Sequence, residues 1–345
     1  MSTIEAFISG MPKAELHVHI ESSIPPELVL EFAERNGVSI PYKTVEEVVA
    51  AQDYGEPGLE KYLDYHYVCL SVLRTADDIK KLTRHFLRKC HEQNTRHVEI
   101  SFDPQIHVEN GLAFDVLIEA LVEAQDEAER LYGLSSDLIM CMQRYRPLES
   151  GLEMLELAAP HRHRIKGVGL DSYETGNPPI KWLEFYTRAR EQGYRLTAHC
   201  DCDIENSVTH IWQCVEEIGV ERIDHGLNVI DDPELHAEVK RRRIPITMCP
   251  TYRPSDPGPR RVAGIRRMLE LGLEVSINSD APEQFVSGYL NKTLIDFQKA
   301  GDISREEIVR LIQNVFNAAW LSEARKLELL SELDEYVTSF DDKHT

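Results

Sequence analysis

Eight short apolar runs, alternating with amphipathic helical stretches, constrain this chain more than any other feature. The runs fall at 14–20, 97–103, 138–143, 166–171, 195–199, 221–225, 245–249 and 274–279. Most are nearly continuous rather than alternating in hydrophobicity, the pattern of strands covered on both faces. Helical periodicity fills the intervals, as at 114–131, 180–192, 207–218 and 233–242. Pro26 and Pro179 stand where a first helical turn accepts proline, and the aspartates before Pro233 suit an N-cap. The interval 24–95 reads as mostly helical and suits a cap, and 304–337 reads as terminal helices. The expected architecture is a single (β/α)8 TIM barrel over 1–345, with extra helices after strand 1 and at the C-terminus. A barrel of this kind needs about 250 residues, and the 345 present leave room for both additions.

The polar residues closing these runs are not of random type. His17 and His19 stand in AELHVHIE, His199 in RLTAHC, His225 in RIDHG and Asp280 in VSINSDAP. Residues two apart on a strand project to the same face, so His17 and His19 can address one ion together. The carboxyl ends of all barrel strands meet at one mouth, where residues distant in sequence converge. Three or four imidazoles and a carboxylate gathered there can hold zinc and keep a position open for water. A lone histidine at a strand end is usually a satisfied core or rim residue, and Asp280 alone reads as a helix N-cap. Their coincidence at strands 1, 5, 6 and 8 points instead to a metal-dependent hydrolase.

Composition narrows the partners. The formal net charge of −21 disfavours nucleic acid and anionic membranes. The seven cysteines are odd in number and scattered, unlike a disulfide framework. No apolar stretch approaches the roughly 18 residues of a membrane span, and MSTIEAFISG lacks the regions of a signal peptide. A cytoplasmic setting is the expectation, with no nucleic-acid or membrane partner. Oligomeric state is not written in these patterns.

The motifs resemble one family closely. MPKAELHVHIESSI, GVGLDSYETGNPP, RIDHG, PITMCPTY and VSINSDAP are similar, nearly end to end, to the adenosine and adenine deaminases, zinc-dependent aminohydrolases of the amidohydrolase superfamily. HVEISFDPQIH and the chain length favour the microbial adenine-deaminase branch. The resemblance implies one Zn2+ per chain held by His17, His19, His199 and Asp280. It implies that His225 acts as the base on the attacking water. It further implies that Gly169 offers a backbone N–H to a purine nitrogen and that Glu21 contacts the far side of the base.

The chain departs from the family pattern at the reacting centre. The family donates a ring proton from a glutamate three residues after the strand-5 histidine. Here the segment is His199-Cys200-Asp201-Cys202-Asp203-Ile204-Glu205, with Cys202 at the counted position. A two-residue shift brings Asp203 or Glu205 into the acid's place, with Asp201 also in reach, and Asp203 is the expected acid. Cys200 and Cys202 read as small strand-end residues rather than a second metal site. Ser22 replaces the usual glycine, Ala281 replaces a purine-binding aspartate, and Thr251-Tyr252-Arg253 replaces the usual seventh-strand sequence. Losing one hydrogen-bonding partner costs about 1–3 kcal/mol when the substrate group goes unpaired. Together these changes point to altered specificity: a deaminase of an aminopurine or related amino-heterocycle, including a modified adenine. Hydrolysis of a non-purine substrate by the same barrel is the alternative, and a non-catalytic binding protein the third reading.

Overall fold

The computed structural model describes residues 3–53, 58–200, 205–250, 258–285 and 288–344. Eight strands form one parallel sheet in sequential order: β1 (Lys13–His19), β2 (Thr95–Phe102), β3 (Ser135–Gln143), β4 (Ile165–Asp171), β5 (Arg195–Cys200), β6 (Arg222–His225), β7 (Ile246–Met248) and β8 (Val275–Ile277). Closure between β8 and β1 is made at the carboxyl ends. The His19 N–H donates to the Asp280 carbonyl oxygen at 3.0 Å, and the Asp280 N–H to that of His17 at 3.1 Å. Below them the Leu16 N–H donates to Asn278 Oδ1 at 2.8 Å. The fold is therefore the (β/α)8 barrel expected from the alternating pattern, and its last seam is the segment carrying Asp280.

The expected strands all form, but the seventh and eighth are shorter than their apolar runs. Chain direction changes early there: Asn278 N–H still reaches the Met248 carbonyl, whereas Ser279 N–H donates to Glu15 Oε1 at 2.7 Å. The expected helix at 207–218 is split into an α-helix Ser207–Trp212 and a π-helical turn Gln213–Ile218. Asp232 accepts from the N–H groups of Glu234 and Leu235 and caps Pro233–Arg242, the role its position before proline suggests. Thr75 with Asp78 and Ser304 with Glu307 form capping boxes that start Ala76–Glu92 and Arg305–Ala318.

The interval after β1 folds into helices Pro26–Asn36, Val45–Ala50, Gly58–Leu70 and Ala76–Glu92. Gly58–Leu70 lies over the mouth, with Leu59, Tyr62, Leu63, His66 and Tyr67 lining the pocket beneath it. At the other end of the chain, Arg305–Ala318 packs on β8 and β1. No helix among the described residues is long and apolar enough to cross a membrane.

One ion pair crosses the barrel interior. Arg222 Nη1 donates to Glu99 Oε2 at 2.6 Å, both side chains being fully buried. The guanidinium also stacks 4.1 Å from the Trp320 ring centroid. Burial alone opposes ionisation of Glu99, but Arg222 overcomes it and holds the carboxyl at about 2. Arg222→Met, which leaves that carboxylate buried and unpaired, is expected to destabilise the protein by about 3–5 kcal/mol, read from the denaturant midpoint at pH 7. Because the folded-state value is depressed, the stabilisation is complete above the ordinary glutamate range and is lost as pH falls toward 2. The wild-type advantage over the Met variant is therefore expected to shrink below about pH 4.

Candidate metal and substrate site

Five side chains converge at the barrel mouth. His17 and His19 come from β1, His199 from β5, His225 from the last position of β6, and Asp280 from the turn after β8. Their inward atoms lie close together. His19 Nε2 is 3.0 Å from His199 Nε2, and Asp280 Oδ1 is 3.6 Å from His17 Nε2 and 3.7 Å from His19 Nε2. His225 Nε2 stands 3.8 Å from Asp280 Oδ2.

Three of the imidazoles have an oxygen behind the ring. His17 Nδ1 donates to the Thr247 carbonyl at 3.1 Å, Asp171 Oδ2 lies 3.5 Å from His19 Nδ1, and Asp224 Oδ2 lies 3.4 Å from His199 Nδ1. An acceptor at Nδ1 leaves the Nε2 lone pair pointing inward, which is how metal-ligating histidines are commonly oriented. His17 Nε2 is buried with no hydrogen-bond partner among the described residues. Burial, reinforced by the neighbouring His17, holds His19, His199 and His225 well below the ordinary histidine range. They are neutral and able to donate lone pairs. His225 differs from the three backed rings: among the described residues its buried Nδ1 has neither a hydrogen bond nor a carboxylate or carbonyl oxygen behind it. This nitrogen-and-oxygen donor set fits a divalent zinc-class ion.

Two of these residues required unusual backbone. His225 and Asp280 have φ values of 63° and 64°, the left-handed region that side chains other than glycine rarely occupy. Gly226 continues that conformation at φ 69°, where a Cβ would meet Ile223 Cγ2 at 2.7 Å, which explains the glycine of RIDHG. Such strain costs about 1–3 kcal/mol and persists only where surrounding contacts impose it. Here it turns both side chains from the ends of the sheet into the mouth.

Above the histidines lies an open pocket of about 550 Å³, a volume that includes its solvent-filled mouth. Its floor holds His19, His199, His225 and Asp280; one wall holds Asp103, Asp171, Glu174 and Arg144. Arg144 Nη1 on that wall donates to Glu174 Oε1 at 2.6 Å and to the His199 carbonyl at 3.0 Å, while its Nε and Nη2 are buried without a hydrogen-bond partner among the described residues. Burial pushes Asp103 and Asp171 upward, and their proximity lets the pair keep a proton.

Other sequence expectations fare differently. Glu21 is buried and does not line the pocket; its Oε1 accepts from the Asp103 N–H at 3.0 Å and His107 Nε2 at 2.9 Å, and its Oε2 has no hydrogen-bond partner among the described residues. Ser22, the next residue, lines the pocket instead. Gly169 is not at the pocket either. It lies inside β4 opposite Cys141, where an added Cβ would meet Cys141 Sγ at 2.6 Å. Strand pairing holds it below the rim, and Glu174, in the turn beyond β4, reaches the wall. Glu205 is exposed and does not line the pocket. Asp201, Cys202 and Asp203, like Thr251, Tyr252 and Arg253, lie outside the described residues. Cys200 Sγ faces Cys214 Sγ at 3.4 Å, away from the histidines. Sequence reading missed the oxygens of Thr247, Asp171 and Asp224. Asp171 at the end of an apolar strand and Asp224 beside His225 were the available signals.

Comparison with known proteins agrees with this geometry. The model of the adenosine deaminase family matches residues 12–336. The chain is 39% identical to an uncharacterized deaminase of Schizosaccharomyces pombe over 99% of this chain and 100% of that one. It is 38% identical to an adenine deaminase of Hahella chejuensis, over 97% of this chain and 99% of the relative. The crystal structure of an adenine deaminase from Arthrobacter aurescens superposes with a TM-score of 0.86 at 32% identity, covering 95% of this chain and 99% of that one.

Proposed function

This chain belongs to the adenosine deaminase family, and from that membership we propose that it is a zinc-dependent hydrolytic deaminase of an aminopurine base. One observation carries the site assignment: His17, His19 and His199 each have an oxygen behind Nδ1, the inner nitrogens of His17 and His19 stand beside Asp280, and that of His199 lies against His19. These four residues would hold the ion. Bound in such a donor set, zinc supplies Lewis acidity and lowers the pKa of water to about 7.

The rest of the chemistry falls to the chain's own groups. His225, neutral and without a partner for its Nδ1 among the described residues, takes the proton of the attacking water at Nε2 and holds it beside Asp280. A proton must also reach the ring nitrogen adjacent to the reacting carbon, which makes that carbon electrophilic. Asp203, in the segment after His199, is assigned that donation. Arg144 steadies the same strand end through the His199 carbonyl, and the Gly58–Leu70 helix shields the mouth from water.

The test is release of ammonia, or of the corresponding amine, by zinc-loaded protein over adenine, adenosine, N6-substituted adenines, other aminopurines and aminopyrimidines. Turnover of an aminopurine is expected. Silence across the panel from protein shown to carry zinc would refute the reading. Asp203→Asn is expected to lower kcat on the accepted substrate by about 10²–10⁴-fold, and full activity in that variant would move the acid elsewhere.

A further inference from the structure

Two departures from the family pattern, at Ser22 and Ala281, meet at a single residue of the cap. His66 projects from the Gly58–Leu70 helix into the pocket, with its ring buried. Its Nδ1 lies 3.0 Å from Gln284 Oε1, an atom that can only accept, so Nδ1 carries the proton. Ser22 Oγ lies 3.2 Å from the same nitrogen and 2.9 Å from Tyr62 Oη. Gln284 stands in the turn after β8, three residues beyond Ala281, and its N–H donates to the Ala281 carbonyl at 3.0 Å. Ala281 itself is fully buried and offers the pocket no polar side-chain atom.

We infer that His66 is a specificity-determining residue that accepts a hydrogen bond from an N–H of the substrate through Nε2. The inference rests on the pocket being a deaminase site and names a contact within it. With Nδ1 protonated and engaged by Gln284, the neutral ring has only its Nε2 lone pair left to offer. Ser22 and Gln284 hold the ring from two separate elements, the turn after β1 and the turn after β8. An alanine at 281 has no side-chain hydrogen bond to offer a base, and the turn that carries it reaches His66 through Gln284. Asp103, Asp171 and Glu174 on the wall supply further oxygen acceptors. A ligand rich in N–H donors suits this lining, and an anionic phosphate does not.

The experiment compares wild type with His66→Phe, His66→Gln and Gln284→Leu. It measures zinc content, thermal midpoint, steady-state kinetics on the accepted aminopurine, and calorimetric binding of adenine. Phe keeps ring volume without an acceptor, and is expected to raise KM and the adenine Kd about tenfold or more. Its kcat is expected to stay within about threefold of wild type. Gln restores an acceptor near the Nε2 position and is expected to recover most of the loss. Gln284→Leu frees the tautomer and is expected to raise KM in the same direction by a smaller factor. Unchanged adenine binding in His66→Phe, a loss confined to kcat, or a loss of zinc would overturn the assignment. If the wild type turns over no aminopurine, the deaminase reading fails by itself, and the adenine-binding comparison still decides His66.

Discussion

Asp280→Asn is expected to abolish deamination, lowering kcat by on the order of 10³-fold or more, and to abolish retention of added zinc. Changing an outer partner of a ligand already costs about 10–100-fold, and Asp280 is the carboxylate on which the inner nitrogens of His17, His19 and His225 converge. Asparagine is the informative replacement because residue 280 has φ 64°, a conformation asparagine tolerates and alanine does not. The backbone bonds to His17 and His19 that close the barrel remain available to it. Metal content by elemental analysis and the thermal midpoint of the zinc-free protein are to be measured together. Loss of zinc and activity with an unaltered apo midpoint is the expected result. Retention of stoichiometric zinc and activity would remove Asp280 from the ligand set.

His225→Asn is expected to lower kcat by about 10²–10⁴-fold, the range of a lost general base, while zinc content stays at the wild-type level. The two halves of that expectation have different origins. Loss of rate follows from removing the only neutral imidazole at the mouth whose Nδ1 has neither a hydrogen bond nor an oxygen behind it among the described residues. Retention of zinc follows because His17, His19, His199 and Asp280 remain. Asparagine again suits the left-handed backbone, here φ 63°, so a fall in activity reports the side chain rather than the turn. Zinc loss equal to that of Asp280→Asn would make His225 a ligand, and another group would then have to serve as base.

The convergence of the five candidate residues at the mouth was legible in the sequence because its signals are local. His17 and His19 are two apart on a strand, so they share a face whatever surrounds them. His199, His225 and Asp280 close apolar runs, and parallel strands must bring such ends together. Substrate contacts were less legible. Glu21 and Gly169 sit in the correct segments but one strand-register or one turn away from the pocket, and a side chain's facing there depends on what packs behind it. Asp103 N–H and His107 draw Glu21 inward, while Cys141 and Thr197 close over Gly169. No periodicity predicts either outcome.

The sequence by itself determined the barrel, the five residues at its mouth and the family, since strand period, helix caps and residue chemistry act over a few positions along the chain. Tertiary structure alone decided which oxygen stands behind each histidine, that His225 and Asp280 take left-handed backbone, and that His66 is held by Ser22 and Gln284. Those contacts join residues 25 to 230 positions apart. Their geometry exists only after β8 closes on β1 and the cap settles on the mouth, because through-space packing, not local propensity, sets where a buried polar atom finds its partner.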